Sequence, residues 1–226
     1  MSARSDILGK IASSLGEKSD DAARRKAVAD RLAGHARGTV PQRATGTATE
    51  MVARFIQQAN GVAATVERLG DFDDAPAAIA AYLTRENLPA AFRMAPQADL
   101  QGIDWSTQPA LTISEGASDG HDLVGLNRAV CGVSETGTLV MASGPDSPTT
   151  LNFLPETEVV MIRADEIVGG YEDAWDTIRQ RTGPNGTLPR TVNMITGPSR
   201  TGDIEQTIYL GAHGPRRLHI LIVGDV

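Results

Sequence analysis

Cysteine is almost absent, with Cys131 the single example in 226 residues. That excludes an intrachain disulfide and leaves neither a Cys-x-x-Cys pair nor a cysteine framework for an iron–sulfur cluster. A reducing, cytoplasmic setting is the simplest expectation. Long apolar runs are missing too: the best, Leu218 to Val223, is strand-sized and far short of the ~20 residues of a membrane span. The opening MSARSDILGKIASSLG is broken by Asp6, Lys10 and Glu17 before any signal-peptide core accumulates, so no export is expected. Positive charge is in deficit, 21 Lys and Arg against 28 Asp and Glu, net −7. This argues against binding nucleic acid or an anionic membrane through the overall field. No repeat or low-complexity tract is present. The four histidines, His35, His121, His213 and His219, form no His-x-x-x-His pair with a third ligand, and no metal site is expected. The acidic stretch Glu115 to Asp122 lacks the spacing of an EF-hand loop and reads as solvated.

A chain of this length buries about 70% of its unfolded surface and needs no covalent staple. It reads as one α/β domain with an appendage. Ile7, Leu8, Ile11 and Leu15 share one helical face, and a second helix over about Asp20 to Leu32 carries a thin stripe of Ala23, Ala27, Val28 and Leu32. Gly34 to Gly46 has linker composition, giving an expected helical arm and linker over 1–45 and a compact domain over 46–226. Thr47-x-x-Glu50 is a capping box opening a helix that Asn60-Gly61 stops. A β-branched run follows through Val66, and Asp73, Asp74 and Pro76 open a helix carrying Ile79, Tyr82 and Leu83. Strands are expected at Ala90–Met94, Ala110–Ile113, Ala129–Val133, Thr138–Ala142, Val159–Arg163, Thr191–Ile195 and Leu218–Val223, with a helix over Gly169–Arg181. This alternation predicts a parallel or mixed sheet with helices on both faces and a ligand crevice beyond the carboxyl ends of the strands.

Three polar, glycine-containing segments adjoin these strands. In the first, Thr136, Gly137 and Thr138 offer backbone N–H groups and hydroxyls for an anion, and Glu135 can serve as base or nucleophile. The alternative is a plain hairpin turn with Gly137 at positive φ. The second runs from Thr196 to Glu205. Gly197, Ser199, Arg200 and Thr201 suit an oxyanion, while Asp203 and Glu205 are either catalytic candidates or residues at a helix start. In the third, His213 sits before Gly214 and Pro215, and Arg216 reinforces an anionic-ligand reading; a structural turn histidine is the competing one. His219 alternates with Leu218 and Ile220 and should face the other side of its strand. Cys131, in an apolar strand, is not expected to be a nucleophile.

Taken in order, Glu135-Thr-Gly-Thr-Leu-Val140, TGPSRTGDIE over 196–205 and GAHGPRRLHI over 211–220 closely resemble the LutC/YkgG family of lactate-utilisation (LUD) domain proteins. The likeness is clearest from about residue 110 onward, with Gly202 standing where alanine is common. The resemblance implies a Rossmann-like α/β fold akin to the NagB/RpiA/CoA transferase-like superfamily. It implies a part in oxidising L-lactate to pyruvate beside two iron–sulfur proteins of LutA/LutB type. With no cluster ligands here, no cofactor is expected in this chain and the clusters would sit on those partners. The expected role is thus a subunit that binds a small organic acid. Rival readings are a structural adaptor docking through the arm, or a stand-alone enzyme on a phosphorylated or CoA-linked acid, with Glu135 as the thioester-forming candidate. The apolar face of the first helix leaves a homo-oligomer open.

Overall fold

The computed structural model describes residues 3–14, 22–181, 187–201, 209–211 and 213–226. Two compact units are present, Met1–Thr39 and Val40–Val226. The first holds helices α1 (Ala3–Ser14) and α2 (Ala22–Gly34), neither with a buried residue. Ile7, Leu8 and Ile11 of α1 are all exposed. Leu15 and Asp20 lie outside the described residues. No helix among the described residues is long and apolar enough to cross a membrane.

The second unit opens with a short helical turn over Gln42–Ala44, in which Ala44 is buried. Helix α3 (Ala48–Gly61) starts at the expected capping box: Glu50 N–H donates to Thr47 Oγ1 at 3.3 Å and Thr47 N–H donates to Glu50 Oε2 at 2.8 Å. It ends at Gly61, as expected, but not through a left-handed glycine. The left-handed residue is Ala63 (φ 68°), and Ala64 N–H closes the turn onto Ala59 O. After β1 (Thr65–Leu69), α4 (Ala75–Arg85) carries Pro76 in its first turn. Then come β2 (Ala91–Met94), the single turn α5 (Ala98–Gln101), β3 (Thr112–Glu115), β4 (Val124–Arg128), β5 (Cys131–Val133), β6 (Thr138–Ala142) and β7 (Thr157–Arg163). The chain continues through β8 (Ile167–Val168), α6 (Tyr171–Arg181), β9 (Val192–Ile195), β10 (Arg200–Thr201), β11 (Tyr209–Leu210) and β12 (Arg217–Val223). The segment from Glu115 to Asp122 is largely exposed, as expected, with Ser118 buried and Asp122 accepting from Arg93 Nε at 2.6 Å and from Ser118 Oγ at 2.7 Å.

Six strands, in the order β1-β12-β7-β4-β2-β3, form one sheet in which every pairing is parallel. A second sheet, β8-β5-β6-β9, is mixed. The expected α/β fold, a mainly parallel sheet flanked by helices, is therefore present. Strand alternation sorts the core into layers. Val159 and Met161 of β7 and Leu221 of β12 pack with Ile79, Tyr82 and Leu83 of α4. Val160, Ile162, Ile220 and Ile222 turn to the opposite face, onto Val52 and Phe55 of α3 and Leu139 and Met141 of β6. The outer side of the second sheet, through Cys131, Val133 and Val140, meets Ala174 and Ile178 of α6. Strands with both faces covered read as continuous apolar runs, which is why β7 and β12 stood out in the sequence.

Candidate functional site

The Thr196–Arg200 segment leaves β9 and crosses the carboxyl end of α3. Gly197 makes the crossing feasible: its φ is +74°, and a Cβ there would stand 2.4 Å from Val62 O. The Arg200 guanidinium donates to the same Val62 carbonyl, one of the acceptors a helix leaves unsatisfied at its end. Backbone bonds then tie this segment to the one before β12. Ser199 N–H donates to Pro215 O at 2.8 Å, Gly211 N–H donates to Ser199 O at 2.9 Å, and His213 N–H reaches Ser199 Oγ at 3.4 Å. The described parts of the second and third candidate loops are thus tied together.

Beneath them lies a cavity of about 290 Å³, whose wall includes Asn152, Glu158, Thr196, Ser199, His213 and Gly214. Phe153, His213 and Gly214 also line a neighbouring surface depression of about 520 Å³ bordered by Glu156 and Arg216. Glu158 is the unexpected member. It is fully buried, neither carboxylate oxygen has a hydrogen-bond partner, and burial holds its carboxyl well above the usual carboxylate range, with the Asn127 amide pulling the other way. Asn127, also buried, donates through Nδ2 to Asn152 Oδ1 at 3.0 Å while its own Oδ1 is unpartnered. These residues come from β4, β7 and the helical turn Thr149–Asn152. They escaped sequence reasoning because no motif or regular spacing joins positions 127, 152 and 158 along the chain. The one available signal was Glu158 inside the run Thr157 to Ile162, a charge where a strand covered on both faces carries none.

The first candidate loop joins at one remove. Thr138 Oγ1 lies 2.7 Å from Thr196 Oγ1, 2.7 Å from Thr136 Oγ1 and 3.0 Å from the Tyr171 hydroxyl. Gly137, at φ +68°, lets this turn press on α3, where a Cβ would stand 2.4 Å from Ala59 N. The Thr136 and Thr138 hydroxyls therefore bond to protein hydroxyls, each other's and those of Tyr171 and Thr196. Glu135 is separate from the cavity wall: its buried carboxylate is held by Arg43 at 2.8 Å, and its N–H donates to Gly169 O. Thr201 pairs in β10. Asp203, Glu205 and Gly202 lie outside the described residues.

The cavity is not beyond the carboxyl ends of the parallel strands, as the fold class suggested. Glu158 is the second residue of β7 and Leu218 the second of β12, so the site adjoins their amino ends, in a space that the second sheet and its loops cover. A second cavity, about 350 Å³, does adjoin the carboxyl end of β4 at Arg128. Its guanidiniums are already matched: Arg128 reaches Asp99 and Glu166 at 2.8 Å each, and Arg181 reaches Glu166 at 3.0 Å. His219 faces the other side of β12, as expected, and Cys131 is buried with its thiol pushed up to about 12 by desolvation, an inert state.

Residues 120–223 match the LUD domain family model. The chain is 34% identical over 102 residues to lactate utilization protein C of Bacillus subtilis and 33% identical over 102 residues to that of a Geobacillus species, each alignment covering 45% of this chain and 42% of the relative. It is 36% identical over 99 residues to an uncharacterized protein of Neisseria meningitidis, covering 44% of this chain and 41% of that one. The matched stretch thus spans less than half the length of each of these relatives. The crystal structure of a DUF162 family protein from Deinococcus radiodurans superposes with a TM-score of 0.57 at 19% identity, over 80% of this chain and all of that one, which supports the fold. The resemblance to the LutC family read from the three sequence blocks is borne out over this stretch.

Proposed function

With the LUD-domain match over residues 120–223 as premise, we propose that this chain is a component of an L-lactate utilisation system and binds a small organic acid in the cavity under the Thr196–Arg200 and His213–Pro215 segments. The observation that carries this reading is the tying of the two loops through Ser199 over one polar, partly enclosed space. Such a space, with few convergent polar groups, is the usual form of a small-ligand site. Arg200 supplies positive charge and His213 a ring N–H donor at its mouth, while Ser199, Thr196 and Asn152 supply hydrogen bonds. In this reading electron transfer falls to iron–sulfur partner proteins, since one buried cysteine gives this chain no framework for a cluster.

The exposed Ile7, Leu8 and Ile11 on α1 favour a docking role for the arm within the same system. Calorimetric titration with L-lactate and with pyruvate tests the binding reading: saturable binding, weakened at least tenfold by both Arg200→Ala and His213→Ala, supports it. Affinity indifferent to both substitutions rejects this cavity as the site. Anaerobic co-purification tests the partner reading, with deletion of residues 1–33 expected to release the iron–sulfur proteins while leaving the small-acid site in place.

A further inference from the structure

Glu158 is a costly residue to place where it is. A carboxylate with no counter-charge and no donor does not persist in a protein interior; it takes up a proton instead. Three buried acceptor atoms, Glu158 Oε1, Glu158 Oε2 and Asn127 Oδ1, lack donors. One proton on Glu158 turns an acceptor into a donor. The only charged or titratable groups lining the same cavity among the described residues, Arg200 and His213, are exposed at its mouth, and Arg200 is committed to Val62. On the strands beside β7, Glu158 stands in register with Gly125 of β4 and Leu218 of β12, neither of which carries a charge. Of the groups described, the Asn127 amide alone favours the ionised form, and burial outweighs it.

We propose that Glu158 is a ligand-binding residue that donates a hydrogen bond from the inner wall of the cavity to an oxygen of a small carboxylic acid anion. The proposal deepens the small-acid reading above and rests on it. A neutral carboxyl pairs with a carboxylate or keto oxygen through a short, strong hydrogen bond, and an ionised one repels the same anion across a low-dielectric gap. Asn152, fixed by Asn127, shares the wall with Glu158 and orients the amide that faces the ligand beside it. The consequence is a binding site that closes as pH rises. Above the pH at which Glu158 ionises, affinity falls about tenfold for each further unit, since the competent form is depleted by that factor.

The test titrates pyruvate and L-lactate into the full chain between pH 5.5 and 9.5 by calorimetry, for the wild type, Glu158→Gln and Glu158→Leu. Thermal melts confirm folding, and the ¹³C carboxyl resonance absent from Glu158→Gln reports the ionisation of Glu158 directly. Glu158→Gln carries a permanent donor, so its pH profile should be flat and its affinity should exceed the wild type's tenfold or more one unit above the wild-type midpoint. Glu158→Leu should fold and lose at least tenfold in affinity at pH 6. If wild-type affinity is independent of pH, or if the folded Leu variant binds as tightly as wild type, the role of Glu158 is wrong while the small-acid reading stands. If neither acid binds any of the three proteins at any pH, both fall.

Discussion

The imidazole of His219 lies flat on the ring of Tyr82, centroids 3.9 Å apart and planes 6° from parallel, and His219 Nδ1 is 2.8 Å from Thr65 Oγ1. Burial, with Arg85 nearby, lowers the imidazole pKa to about 4, so the ring is neutral at pH 7 and its 3.7 Å approach to Glu67 is not an ion pair. The same burial pushes the Tyr82 phenol up to about 12.

A base whose folded pKa lies below its unfolded value makes the unfolded state the better proton binder. Its contribution to stability is therefore complete above about pH 6.5 and is lost as pH falls toward about 4, amounting to about 3 kcal/mol at the end of that window. Glu158 acts in the opposite direction, because a raised carboxyl pKa favours the folded state as pH falls. The difference between wild type and His219→Phe isolates the histidine. Urea unfolding at pH 7.5 and pH 4.5 should show His219→Phe losing distinctly less stability on acidification than wild type, and parallel losses would contradict the buried, neutral state.

Gly197→Ala meets two obstacles at once, a left-handed φ and a Cβ 2.4 Å from the Val62 carbonyl. The loop must lift off α3, breaking the Arg200–Val62 bond and tilting Ser199. Unfolding free energy should drop by about 2–4 kcal/mol, and small-acid affinity should fall with it. Denaturant titration beside calorimetry reads both, and an alanine variant as stable as the wild type would mean that the loop does not rest on the helix end.

Thr138 is fully buried, and its hydroxyl holds three others. Thr138→Val keeps the shape and removes the hub, leaving Thr136 and Tyr171 bonded to each other at 3.0 Å and Thr196 without its protein partner. The expected cost is about 1–2 kcal/mol, with weaker ligand binding because Thr196 borders the cavity. An isosteric change with no effect on either quantity would reduce the hydroxyl cluster to a passive filling.

Cys131 should resist alkylation. Its thiol is buried and its pKa is raised to about 12. Iodoacetamide at pH 8 should label the native protein at least a hundredfold more slowly than the protein in urea, and rapid native labelling, followed by mass spectrometry, would show that the α6 side of the second sheet opens readily.

Much of the fold was readable because it rests on local rules. The Thr47–Glu50 box, Pro76 in a first turn and the runs of β6, β7 and β12 are each decided within a few residues by capping, fixed φ and apolar patterning. β4 was not legible, since Val124–Arg128 interrupts its apolar residues with Gly125 and Asn127, and the sequence showed only the strand after it. Glycines 137 and 197 announced turns but not what those turns press against.

The sequence by itself determined the composition of the candidate site's mouth: Gly197, Ser199, Arg200, His213 and Gly214 are signals in two short segments, and a single cysteine leaves these 226 residues no cysteine framework for an iron–sulfur cluster. Only the tertiary structure decided that these two segments meet, that Glu135 pairs with Arg43 92 positions away, and that Glu158, Asn127 and Asn152 share one buried face. The physical reason is range. Caps, turns and strand periods are properties of neighbours along the chain, whereas the environment of a buried carboxyl is set by whichever strands the sheet order places beside it, and a parallel sheet pairs strands that are far apart in sequence.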